Sequence, residues 1–139
     1  MKIYILITLV LSLLTITSCV LTGENDVVIN ELELNQEVNL TLGGFQGLTN
    51  VRINSVSGNN IYIDAYTSED LSKESAKELG DSVIRQYIMN AEPESKLGKE
   101  FGPTSYTYIV RVFDNGNDII VKGEKRRFND VIDWDCSIC

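Results

Sequence analysis

Residues 104–128 read TSYTYIVRVFDNGNDIIVKGEKRRF. Two runs rich in β-branched and aromatic residues, Thr104–Phe113 and Asp118–Phe128, flank Asn115-Gly116. That dipeptide favours the left-handed backbone of a two-residue hairpin turn. Such a turn pairs Asp114 with Asn117, and in register Val112 with Ile119, Val110 with Val121 and Tyr108 with Gly123. Side chains alternate across a strand, so these residues share one face, the buried one, with Tyr106. Thr107, Arg111, Lys122 and Glu124 fall on the other, wet face. On this reading Gly116→Val strains the turn at a cost of about 1–3 kcal/mol.

Upstream of the hairpin the apolar period changes to that of a helix. Leu71, Ala76, Leu79, Val83, Ile84, Tyr87 and Ile88 recur at helical spacing between Glu69 and Asn90. Thr67 or Ser68 can cap the helix, Pro93 ends it, and Gly80 weakens its middle. Further upstream the period is two. Val27–Leu34, 37–42, 51–54 and 61–66 each suit a strand, separated by Gly43-Gly44-Phe45-Gln46-Gly47 and Ser57-Gly58-Asn59-Asn60. The order ββββαββ implies an α+β domain: an antiparallel sheet of about six strands with one long helix packed across it. Val131, Ile132 and Trp134 in the tail are placed to dock back on the core.

The whole chain has 139 residues, 12 basic and 20 acidic, for a net charge of −8, and no histidine. One domain is the expectation at this length. The acidic surplus argues against nucleic acid as a partner. Without histidine there is no Ser-His or Cys-His nucleophile pair and no imidazole metal ligand.

The N-terminus carries the clearest signal. Lys2 precedes an apolar run from Ile3 to Ile16, followed by Thr17-Ser18-Cys19, which is the layout of an export signal. Ile16-Thr17-Ser18-Cys19 resembles the lipobox of bacterial lipoproteins. The resemblance implies diacylglycerol transfer to the Cys19 sulfur and cleavage before it, with residues 1–18 as signal peptide, 19–26 as lipidated tether and 27–139 as the domain. Cleavage leaves 121 residues at a net charge of −9, since only Lys2 is lost. Val20 and Leu21, with no Asp beside the cysteine, resemble the default that proceeds to the outer membrane in Gram-negative bacteria. An ordinary signal peptide or an uncleaved membrane helix are the other readings of the same stretch, and all three place the domain outside the cytoplasm.

Two further cysteines, Cys136 and Cys139, end the chain. In an exported protein they can close a small disulfide ring. A redox motif needs a helix N-terminus after the first cysteine, a zinc site needs two more ligands, and a C-terminal prenylation box needs a cytosolic protein.

Candidate acids are Glu31, Glu33, Asp64, Asp114 and Asp118; strand spacing puts Glu31 and Glu33 on one solvent face. Asp114–Asp118 reads as a hairpin turn, since it lacks the spacing and distal Glu of a calcium loop. The run Glu124–Arg127 reads as a solvated strand end. Tyr62 and Tyr66, opposite Ile61 and Ile63, form a candidate exposed aromatic strip of the kind used in protein or glycan recognition. The expectation is a lipid-anchored envelope lipoprotein with a non-enzymatic binding domain and no metal or cofactor. Its partners are the membrane, through Cys19, and a protein or envelope polymer. The alternatives are a carboxylate-dependent envelope hydrolase, or an inhibitor or immunity lipoprotein against a basic toxin or lysozyme.

Overall fold

A computed structural model describes residues 29–92, 101–135 and 137. The signal segment and the expected end of the helix at Pro93 lie outside the described residues. In chain order the elements are α1 (Glu31–Leu42), β1 (Leu48–Ser57), β2 (Asn60–Thr67), α2 (Lys73–Ala91), β3 (Thr107–Phe113), β4 (Ile119–Lys125) and β5 (Asp133–Trp134). They form an α+β fold with one five-stranded sheet in the order β1-β2-β3-β4-β5.

The sheet is mixed, not antiparallel throughout. β2 and β3 run parallel, while the other neighbours are antiparallel. α2 is the cause: it carries the chain from the end of β2 back to the edge where β2 began, so β3 must start there. The expected strand count is also corrected. The two strands expected at 27–34 and 37–42 are, over the described residues, the helix α1.

Leu34, Val38 and Leu42 satisfy a four-residue repeat as well as a two-residue one, and they are the buried residues of α1. Leu40, inward on the strand reading, is 83% exposed. Asn30 decides between the two periods. Its side chain accepts from the Glu33 amide and donates to the Glu33 carboxylate, closing the first turn at both ends of the pair. Glu31 and Glu33 sit in that turn, at the positive end of the helix dipole.

Both helices pack on one face of the sheet. Leu34 and Val38 of α1 and Leu79, Val83 and Ile84 of α2 meet Val51, Ile61, Ile63, Val110, Val112 and Val121 in a single core. α2 is capped by Ser72, not by Thr67 or Ser68; Ser72 accepts from the Ser75 amide. Gly80 in mid-helix has a packing reason: a Cβ there would lie 2.8 Å from the Trp134 ring. Ile132 and Trp134 dock against the core as expected, whereas Val131 stays 59% exposed.

α1 also closes the outer edge of β1. The Asn39 amide accepts from Val51 N at 2.8 Å and donates to Val51 O at 2.6 Å. Asn35 Oδ1 accepts from Ile53 N at 2.8 Å and from the Tyr87 hydroxyl at 2.6 Å. Two side chains thus take the ladder positions that a further strand would occupy.

The 104–128 hairpin forms, but its loop is longer than two residues. Asp114 N donates to Asp118 O at 3.0 Å and Asn117 N to Asp114 O at 3.2 Å. Asp114 Oδ1 accepts from the Gly116 and Asp118 amides, both at 2.8 Å. The carboxylate organises a three-residue loop that ends in left-handed Asn117, φ 65°. The register moves by two: Val112 faces Val121, Val110 faces Gly123, and Tyr108 faces Lys125. A shift of two preserves which residues share a face, so the expected sets survive except at Ile119: a bulge beside the turn sets it opposite Phe113, and Ile120 packs against the core in its place. The strained position is Asn117, not Gly116. Asn117→Val should cost about 1–3 kcal/mol in a urea melt, and Gly116→Val should cost less.

Candidate functional site: the helix-free face of the sheet

Strand alternation sends every second residue of β1–β4 away from the helices, and among the described residues no element covers that side. Across it run three rows in register. The middle row is Arg52, Asp64, Arg111 and Lys122; beside it lie Tyr62, Ile109 and Glu124 on one flank and Tyr66 and Phe113 on the other. The structure therefore places Tyr62 and Tyr66 on this face, both half-buried.

Asp64 is the hub. Though it faces away from the core it is only 3% exposed, because Arg111 closes over it. Arg111 Nε donates to Oδ1 at 2.8 Å and Nη2 to Oδ2 at 2.9 Å, a two-pronged pairing of the strong kind. The Tyr66 hydroxyl donates to Asp64 Oδ2 at 3.4 Å and accepts from Arg52 Nη2 at 3.0 Å. Tyr66 stacks on Phe113 with ring centroids 5.1 Å apart and planes 13° apart. The Arg52 guanidinium lies 5.3 Å from the Tyr66 centroid and that of Arg111 5.4 Å from the Phe113 centroid. In strand order Tyr66 lies between Arg52 and Phe113, so both faces of its ring are engaged. What the stack offers to solvent is ring edges.

The other candidate acids are not brought together. Glu31 and Glu33 open α1, and Asp114 is committed to the hairpin amides. Among the described residues no group of three Cys, Asp or Glu side chains is placed to hold a metal. Cys19, Cys136 and Cys139 lie outside the described residues. No helix among the described residues is long and apolar enough to cross a membrane.

Lys125, which the sequence assigns to a solvated run, is fully buried. Its Nζ donates to Gly102 O at 2.9 Å, Arg126 O at 3.0 Å and Thr104 Oγ1 at 3.2 Å. Three donors meet three acceptors, and the loop before β3 is pinned to the end of β4. Burial pulls the ammonium pKa below its usual range, opposed by the fields of Glu92 and Asp130. Nearby, Tyr108 donates to Glu92 Oε1 at 2.6 Å. Burial, and then this bond and the charge of Glu92, push the Tyr108 phenol far up; burial alone does the same to Tyr87.

These shifts set an alkaline limit. Above about pH 10 the unfolded chain sheds phenolic protons that the native state keeps at Tyr87 and Tyr108, so stability falls as pH rises. Lys125 acts oppositely, since the unfolded chain holds its proton longer; its contribution rises with pH only up to about 10.5. The tyrosines prevail beyond that point, at about 1.4 kcal/mol per pH unit each. Absorbance at 295 nm should show the phenols of Tyr87 and Tyr108 ionising only as the protein unfolds.

A second surface feature flanks the β1 edge. Leu32 and Leu40, 70% and 83% exposed, stand on the outer side of α1 above a groove of about 570 Å³ lined also by Gln36, Asn39 and Arg52.

No family model matches the chain, and no curated protein does. Among solved structures the chain is similar to one described as the crystal structure of the sex pheromone staph-cAM373 precursor, at 18% identity and a TM-score of 0.48. The match covers 77% of this chain and 40% of that one, so the likeness spans less than half of the other protein.

Proposed function

We propose that this protein is a bacterial envelope lipoprotein, held to a membrane by lipid on Cys19, whose single domain is a non-enzymatic binding module. The observation that carries the binding reading is the helix-free face, where Tyr62, Tyr66 and Phe113 stand among Arg52, Arg111 and Lys122 on a broad sheet surface. The hydrolase alternative needs a carboxylate free to act. Asp64, the one buried carboxylate among the described residues, has both oxygens engaged by Arg111 and Tyr66, which favours a structural role for it.

The anchor rests on Ile16-Thr17-Ser18-Cys19. Two or three acyl chains hold a protein firmly to a leaflet, whereas one holds it weakly. Metabolic labelling with a fatty-acid analogue should mark the wild type and leave Cys19→Ser unmarked, while Cys136→Ser and Cys139→Ser keep the label. Label that persists in Cys19→Ser and vanishes in Cys139→Ser would overturn the anchor. For the domain, capture from envelope extract should be lost in Tyr62→Ser/Arg52→Glu and kept in Leu32→Ser/Leu40→Ser.

A further inference from the structure

The middle row of the helix-free face reads +, −, +, + across four strands: Arg52, Asp64, Arg111, Lys122. Asp64 and Arg111 satisfy one another. That leaves a cation at each end of the row. Arg52 is exposed, and among the described residues its guanidinium meets only the Tyr66 hydroxyl and ring. Lys122 has no carboxylate in ion-pair contact among the described residues, although Glu124 lies two positions along the same strand. Two such cations on one face stand out in a chain with a net charge of −8.

The aromatic groups narrow the chemistry. Sugars are held by stacking on an open ring face, and the faces of Tyr66 are taken by Arg52 and Phe113. Ring edges are the positive part of the aromatic quadrupole. Edges and two cations together favour carboxylates over neutral sugar. The spacing fits a polypeptide. Arg52 and Lys122 lie three strand intervals apart, about 14 Å, and an extended chain covers about 14 Å in four residues.

We propose that this face binds an extended acidic peptide segment of a partner protein, laid across β1–β4, with carboxylates about four residues apart pairing Arg52 and Lys122. The proposal rests on the binding reading above and adds the partner's chemistry.

The test uses the full chain and a fluorescein-labelled nine-residue Ser/Thr peptide carrying two glutamates four residues apart, followed by polarisation. Binding is expected, together with its loss when both glutamates become Gln. Arg52→Gln and Lys122→Gln should each weaken it about fivefold, the worth of one exposed charge pair, and Leu32→Ser should leave it unchanged. No binding, or binding indifferent to both substitutions, would overturn the proposal. So would tighter binding of a neutral oligosaccharide, or displacement of the peptide by inorganic phosphate as readily as by free glutamate peptide. If wild type but not Tyr62→Ser/Arg52→Glu captures an envelope partner while the peptide fails to bind, the binding face stands and the acidic-peptide assignment falls.

Discussion

Arg111→Met should destabilise the domain by about 3 kcal/mol. The methionine fills most of the volume of the arginine stem but leaves Asp64 with its charge, 3% exposed and without a cation. Removing one partner of a buried pair typically costs 3–5 kcal/mol, because the survivor keeps its desolvation penalty and loses the attraction that offset it. The lower end applies here, since the Arg111 side chain is 30% exposed against 4% for Asp64. The same reasoning predicts recovery. Asp64→Leu combined with Arg111→Met removes both charges, and its urea midpoint should return to within about 1 kcal/mol of wild type. An Arg111→Met midpoint equal to that of wild type would mean that Asp64 is not buried as described.

Gly123→Ala should cost about 2–3 kcal/mol, a large penalty for a single methyl group on a strand. A Cβ at this position would lie 2.6 Å from Trp134 Cζ3 and 2.8 Å from Ile132 Cγ2, closer than nonbonded carbons approach. Gly80 of α2 also lies close to the ring, where a Cβ would come within 2.8 Å of it. With close contacts to both glycines, the added methyl should push the indole, and the tail that carries it, off the core. Overpacking of this kind costs about 1–3 kcal/mol. Trp134 is the only tryptophan, so its emission reports the event directly and should shift to the red as the ring meets water. In a Trp134→Ala background Gly123→Ala should cost clearly less than in wild type, because the two ring atoms it strikes are gone and only Ile132 Cγ2 remains. Additive penalties would show that the strain lies elsewhere.

The parts of this fold that were legible in the sequence are those decided within a few residues. The 104–128 hairpin, β2 and α2 each carry an unambiguous period and turn residues that agree with it. α1 is not legible from its period, because Val38, Leu40 and Leu42 alternate and short apolar runs of that kind fit either period; the Asn30–Glu33 cap is the local signal that distinguishes them. The parallel pairing of β2 with β3 is a long-range fact. Without it Tyr66 has no reason to meet Phe113, and Asp64 none to meet Arg111, so the aromatic strip was visible only as Tyr62 and Tyr66. Burial of Lys125 was hidden for a similar reason. Its three acceptors come from Gly102, Thr104 and Arg126, two of them on a loop whose path no local pattern reveals.

The two edges of the sheet bear on how densely such a protein can be displayed. Proteins tethered on one leaflet, as proposed here, meet one another in a shared orientation and at an effective concentration far above that of free molecules. An open strand edge is then a template for runaway association. At one border the amides of Asn35 and Asn39 already occupy the ladder positions of Val51 and Ile53. At the other, β5 is only two residues long and carries the exposed charge of Asp133. Neither border invites a neighbouring copy to add itself as a strand. The molecule thus suits crowding on a surface, and its encounters there are directed toward the broad face of the sheet and away from its rims.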